Sequence, residues 1–351
     1  MAAVAVAVPL LVVVPAAAQA QPPPGIRVEK GIVFASPGGI DLHMNAFLPP
    51  GENQDRMGVL TVHGGGWAHG GLAAAGEQAR YLAQQGFVAF TIEYRLAPEN
   101  PYPAAVEDCL AAVRYIRDHA AQFGVDPKRI GALGGSAGGN LVALLATMGS
   151  GPPDTGSRIK AAVSWSGPMD LVDAAVNDPT GVVARVEEKY LGCSVEECAD
   201  RYHQASPITY VDPTDAPMLM SNGTGERIPQ GGVKEMADLY KRNGIPYRLV
   251  ILPAPCHSDQ CQHEPVPRTD QDLAEASAAF LQKWLNATHT PGSPVPSPSP
   301  EPTPSPGPSG GGGGTGAAAL IAAGVLVAAG VILLLVFRTR RRPADATQGR
   351  G

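Results

Sequence analysis

Residues 130–140 read Ile-Gly-Ala-Leu-Gly-Gly-Ser-Ala-Gly-Gly-Asn, and this stretch decides the fold. The apolar run Ile130–Leu133 has the length of a buried strand, and Ala137–Met148 reads as an apolar helix. Between them, Gly134-Gly135-Ser136-Ala137-Gly138 makes a sharp strand-to-helix turn, with Gly134 and Gly138 where a Cβ would collide with neighbouring backbone. Such a turn lifts the Ser136 hydroxyl above a sheet and sets it on a helix N-terminus, which favours developing negative charge. Ser136 is therefore the candidate nucleophile. The plainer alternative is a glycine turn that only joins a strand to a helix.

Outward from this turn, short apolar runs alternate with amphipathic helical stretches. The strands are expected at Ile40–Phe47, Gly58–Val62, Val88–Tyr94, Ile130–Leu133, Ala161–Ser166, Pro217–Asn222 and Tyr247–Leu252. The helices are expected at Gly76–Gln85, Pro103–Phe123, Ala137–Met148, Val233–Asn243 and Asp270–Asn286. In Pro103–Phe123, Val106, Cys109, Leu110, Val113 and Ile116 recur at three- and four-residue spacing, so one stripe faces the sheet. The pattern predicts an α/β class with a mostly parallel central sheet flanked by helices.

The chain places further chemistry after strand ends. His63-Gly64-Gly65-Gly66-Trp67 follows Gly58–Val62. The backbone N–H groups of Gly64 and Gly65, with that of Ala137, would form an oxyanion hole. A serine nucleophile also needs a base and an orienting acid, expected in the order Ser, acid, His. His257 follows Tyr247–Leu252 and is the candidate base, with His263 its rival. His63 reads as a structural hydrogen-bonding residue. Glu226 is the first carboxylate beyond Pro217–Asn222 and is the candidate acid; Asp170, after Ala161–Ser166, stays open as the alternative.

From about Val28 to Leu285 the chain resembles the α/β-hydrolase superfamily, in its acetyl-esterase, hormone-sensitive-lipase-like and bacterial feruloyl-esterase-like branch. The resemblance rests on His63-Gly-Gly-Gly-Trp67, Tyr94-Arg-Leu-Ala-Pro98, Gly134-Gly-Ser-Ala-Gly-Gly139 and Ser206-Pro-Ile-Thr-Tyr210. It implies an α/β-hydrolase fold and a carboxylesterase that needs no cofactor. Its triad would be Ser136, Glu226 and His257, and its oxyanion groups Gly64, Gly65 and Ala137. The ester would carry a small or medium acyl group. Three departures stand out: Glu226 replaces the usual Asp, Gly135 replaces the Asp of the lipase-like Gly-Asp-Ser-Ala-Gly-Gly, and no long helical stretch precedes Ile32. The site should then be open, with Asp170–Tyr210 as the one sizeable lid segment and Trp67 as an apolar wall. A prolyl-oligopeptidase-type peptidase and a non-catalytic surface-displayed binding module are the alternatives on the same fold.

The termini carry targeting signals. Residues 1–20 read as a signal peptide, with Ala16-Ala-Ala-Gln-Ala20 as the small-residue cleavage region. Residues 26–290 form the globular body. Residues 291–315 form a Pro/Ser/Gly-rich linker that cannot bury apolar surface, with nine Pro between Pro291 and Pro308. Residues 316–337 are 22 in number and uncharged, enough to cross a bilayer as a single transmembrane helix, and 338–351 form a basic tail with Arg338, Arg340, Arg341 and Arg342. That order predicts a type I protein of the cell membrane with its globular domain outside. The chain holds 26 basic and 32 acidic residues, and five of the former and two of the latter follow Thr290. The rest is left with 21 against 30, an acidic body that argues against a nucleic-acid partner.

In an exported chain, five cysteines suggest disulfides. Cys193 and Cys198 flank Ser194-Val-Glu-Glu197, a capping-box pattern that would bring them together. Cys256 and Cys261 bracket His257 at the same spacing, where a bridge would stiffen the base loop. Metal binding by Cys256, His257 and Cys261 lacks an evident fourth ligand, so no metal site is expected. Cys109 lies on the buried helical stripe and reads as a free core thiol.

Overall fold

The computed structural model describes residues 25–287, apart from 52–54, 150, 151 and 153. The leader, linker, transmembrane and tail assignments at 1–20, 291–315, 316–337 and 338–351 lie outside the described residues. Among the described residues, no helix is long and apolar enough to cross a membrane.

The strands are β1 (Arg27–Ala35), β2 (Leu42–Leu48), β3 (Arg56–Val62), β4 (Val88–Ile92), β5 (Val125–Gly135), β6 (Ala162–Trp165), β7 (Met218–Gly223) and β8 (Tyr247–Leu252). They form one sheet in the order β1-β2-β4-β3-β5-β6-β7-β8. The β1–β2 and β2–β4 pairs are antiparallel. Every pair from β4–β3 onward is parallel. The helices are α1 (Gly76–Gln84), α2 (Ala104–Asp118), α3 (Ala120–Phe123), α4 (Ala137–Thr147), α5 (Leu171–Val176), α6 (Val182–Leu191), α7 (Val195–Gln204), α8 (Gln230–Arg242) and α9 (Leu273–Asn286).

Strand alternation sorts the core into two layers. In β4, Val88, Phe90 and Ile92 pack with α2, α4 and α8, while Ala89 joins the layer containing α1 and α9. Both faces are covered, as a parallel sheet requires. All eleven residues of α4 are buried, which accounts for its lack of a polar stripe. On α2, Val106, Cys109, Val113 and Ile116 are buried as the periodicity predicts, and Leu110 sits at the margin.

Four elements depart from the expected pattern. β1 was not anticipated: it is a largely exposed edge strand carrying Arg27, Glu29 and Lys30, and its register shifts around Gly31. Its polarity fits an edge but hides the period. The helix expected to run unbroken over Pro103–Phe123 is divided at His119, which leaves helical geometry, and α3 ends at the left-handed Gly124. β5 begins at Val125 rather than Ile130, because Arg56 of β3 pairs with Val125. The segment 170–210 holds three short helices, α5 to α7, in addition to the turn Pro207–Tyr210.

Candidate active site

The site sits at the carboxyl ends of the parallel strands, where the crossover loops of an open α/β sheet converge. Ser136 follows β5 directly and holds φ 55°, ψ −123°, an unusual conformation for a residue with a side chain. Positions 134 and 138, two residues to either side, must be glycine. A Cβ on Gly134 would stand 2.6 Å from the carbonyl carbon of Gly138, and one on Gly138 would stand 2.6 Å from His63 O. The backbone N–H of Ser136 donates to Trp165 O at 2.8 Å, tying the turn to β6.

A hydrogen-bonded relay runs from this serine. His257 Nε2 lies 2.9 Å from Ser136 Oγ, and His257 Nδ1 lies 2.5 Å from Glu226 Oε2. The Glu226 side chain is fully buried, and its second oxygen accepts from the Gly223 N–H at 2.9 Å. Both carboxylate oxygens are thus assigned, which fixes the plane that faces His257. Glu226 reaches this position from a turn after β7 in which Gly225 adopts φ +77°. Gly223 lets the end of β7 approach the loop of His257, since a Cβ there would stand 2.6 Å from Ala254 O.

The rival residues stand elsewhere. Asp170 caps α5, its Oδ1 accepting from the N–H groups of Val172 and Asp173 at 2.9 and 3.2 Å. His263 is exposed and faces Asp272, with Nδ1 3.2 Å from Oδ2. Cys256 and Cys261 are paired, with their Cα atoms 5.3 Å apart, and Cys193 pairs with Cys198 at 6.2 Å. Ser194 donates its N–H to Glu197 as the capping-box pattern requires, at 3.0 Å. Cys109 is a buried free thiol, and burial raises its pKa.

The glycine loop after β3 lies against the turn of Ser136. Gly65 and Ala137 line the same cavity as Ser136. Gly64 packs beneath it, where a Cβ would press to 2.9 Å from Gly135 O and 3.3 Å from Ser136 Cβ. His63 is buried, its Nδ1 2.7 Å from Gly64 O, and burial lowers its pKa. Tyr94 stacks on the His63 ring at 4.2 Å and donates to His63 O. Arg95 forks onto Asp108 of α2. The Tyr94–Pro98 motif therefore holds up the loop rather than the substrate. The Ser206 motif does similar work, because Ser206 Oγ accepts from Leu171 N–H and donates to Tyr202 O, joining α5 to α7.

The cavity over Ser136 has a volume of about 330 Å³. Trp67 lines it as expected and stacks on Tyr190 of α6 at 4.3 Å. A single face of α6 supplies Val182, Val183, Val186 and Glu187, and Ile228 adds to the apolar wall. The α6 residues fall within the expected lid segment Asp170–Tyr210, but the pattern did not single them out, because the seam is short and interrupted by charges. It also missed Ser166, whose Oγ accepts from the Ser258 N–H at 3.0 Å and so anchors the residue after His257. A larger hollow of about 850 Å³, beside Arg27, Pro50 and Phe123, contains no member of the relay.

A mostly parallel sheet with a serine on a strained turn, and a histidine and carboxylate delivered by the later strands, defines an α/β hydrolase. The BD-FAE family model matches residues 44–231, more than half of the chain, and the chain belongs to that family. Among its relatives, carboxylesterase NlhH of Mycobacterium tuberculosis is 38% identical over 134 residues, a stretch covering 37% of this chain and 42% of that protein. Arylacetamide deacetylase of Oryctolagus cuniculus is 37% identical over 110 residues, 30% of this chain and 28% of that one. Among solved structures, a Pyrobaculum calidifontis esterase superposes with a TM-score of 0.62 at 25% identity, covering 74% of this chain and 86% of that one. A truncated carbohydrate esterase from gut microbiota gives 0.62 at 22% identity, over 74% and 97%.

Proposed function

We propose that this chain is a serine carboxylic-ester hydrolase with Ser136, His257 and Glu226 as its triad and Gly64, Gly65 and Ala137 as its oxyanion donors. The observation that carries the reading is the continuous contact from Ser136 Oγ through His257 to the buried Glu226, opening onto the 330 Å³ cavity. His257 Nε2 takes the Ser136 proton as Oγ attacks the ester carbonyl, and Glu226 orients the ring and stabilises the imidazolium. The backbone N–H groups hold the oxyanion. His257 then protonates the leaving alkoxide, and water deprotonated by the same base releases the acid and restores Ser136. The cavity volume suits small and medium acyl groups.

The test is hydrolysis of p-nitrophenyl acetate, butyrate and octanoate by residues 21–290, beside the Ser136→Ala variant. Turnover that disappears with Ser136→Ala supports the reading, and the chain-length profile sizes the acyl pocket. A folded protein that cleaves none of them, or that cleaves prolyl peptides instead, overturns it.

The same proposal puts the enzyme outside the cell, on the membrane. Its support is the order of segments: an apolar leader at 1–20, a Pro-rich linker at 291–315, the uncharged run 316–337 and the arginines that follow. Full-length protein should sediment with membranes, and external protease should release an active domain. Recovery in the soluble cytosolic fraction would refute the tether.

A further inference from the structure

Glu187 is an anomaly in an otherwise apolar wall. It is fully buried on α6, it lines the cavity over Ser136, and neither carboxyl oxygen has a hydrogen-bond partner among the described residues. The other ionisable groups lining that cavity are His69, Arg227, His257 and Asp259, and none is hydrogen-bonded to Glu187. A buried polar group without a partner is a standing loss that a ligand can relieve. The surrounding valines offer it nothing.

We propose that Glu187 is a specificity-determining residue that hydrogen-bonds a hydroxyl group carried by the ester substrate, so that hydroxylated esters are preferred over their plain alkyl counterparts. This rests on the esterase reading of the same site. Burial, followed by the negative charges of Asp170, Asp178 and Asp173, raises the Glu187 pKa to about 9. At neutral pH the side chain is therefore a carboxylic acid, with one O–H to donate and a carbonyl oxygen to accept. A hydroxyl offers the matching pair. A cationic group would require Glu187 to ionise first, in a setting that opposes it, and would also face Arg227.

A site built around a substrate hydroxyl discriminates strongly against the analogue lacking it, because the buried protein group is then left unpaired. Three matched comparisons test this: p-nitrophenyl butyrate against 3-hydroxybutyrate, p-nitrophenyl hexanoate against 6-hydroxyhexanoate, and ethyl butyrate against 2-hydroxyethyl butyrate. In at least one comparison the hydroxylated ester should have a kcat/KM about tenfold higher or more. Glu187→Leu should bring that ratio to about one, while Glu187→Gln, which still donates and accepts, should keep most of it. Equal rates in all three comparisons, or a preference that survives Glu187→Leu, would overturn the proposal. So would a preference for 2-(trimethylammonio)ethyl butyrate that Glu187→Gln abolishes, which would make the site a cation site. Calorimetric affinities of the Ser136→Ala protein for the same pairs read recognition without turnover. A preference in affinity with no hydrolysis by the wild type would support this proposal while sinking the esterase reading, and equal affinities would count against this one.

Discussion

Gly135 and Ser258 occupy one volume: a Cβ built on Gly135 would overlap Ser258 Oγ and stand 3.2 Å from Ser258 Cβ. Ser258 is itself fixed, with φ 58° and its N–H on Ser166 Oγ. The residue after His257 thus packs directly on the residue before Ser136. This contact explains why position 135 is glycine where the lipase-like pattern has Asp.

The pairing sets up a double-mutant test. Gly135→Asp alone should destabilise by about 1–3 kcal/mol through overpacking and displace His257. Esterase activity should then fall by at least about tenfold. Ser258→Gly vacates the space, so adding it to Gly135→Asp should recover part of both losses. Strictly additive effects, measured by denaturation and by ester hydrolysis, would mean that the two positions do not share this volume.

The choice of acid can be decided by two isosteric changes. Glu226→Gln leaves the shape of the site but removes the charge that faces His257 Nδ1, and should lower kcat by about 100-fold or more, by analogy with the loss of a triad carboxylate. Asp170→Asn alters the cap of α5 and touches no member of the relay, so its cost should appear in stability, at about 1 kcal/mol or less, with kcat nearly unchanged. A larger loss of kcat with Asp170→Asn would reverse the assignment.

Much of this site was legible because its constraints are local. The turn 134–138 announces itself through glycines that no other residue can replace, and each catalytic candidate lies just beyond an apolar run that had to be a strand. Glu226 could be picked out because the strand Met218–Gly223 ends close before it. What pattern reading missed depends on contacts distant in sequence. Nothing near Glu187 shows that α6 turns one face toward Ser136, some fifty positions earlier, and nothing near Ser166 shows that it anchors the loop of Ser258. β1 was missed for a different reason: an exposed edge strand with a register shift needs no apolar alternation.

The Cys256–Cys261 bridge spans the loop that presents His257, so its removal should affect rate as well as stability. In the chain-entropy description a loop this short is worth about 2 kcal/mol. Replacing both cysteines with serine should therefore lower the melting temperature by several degrees and reduce kcat severalfold. The equivalent change at Cys193 and Cys198 should lower stability with little effect on kcat, since neither cysteine lines the cavity over Ser136. Equal effects on kcat from the two double variants would show that the bridge does not position the base.

Glu187 also makes the protein's stability depend on pH in a defined direction. Its ordinary pKa is 4.5, and in the folded protein burial raises it to about 9. Between those values the folded state holds a proton that the unfolded state has released, so stability falls as pH rises across that window. Gln at this position does not titrate and stays neutral at every pH. The melting temperature of Glu187→Gln minus that of the wild type should therefore grow steadily from pH 5 to pH 9. Asp215 is also buried and raised to about 8, but it contributes the same slope to both proteins and cancels in the difference. One pKa unit corresponds to about 1.4 kcal/mol, and a domain of this size shifts by roughly 2–4 °C for each kcal/mol. The gap at pH 9 should exceed that at pH 5 by at least about 2 °C. A gap that stays flat across this range, followed by calorimetry, would mean that Glu187 is ionised inside the folded protein and has found a partner there.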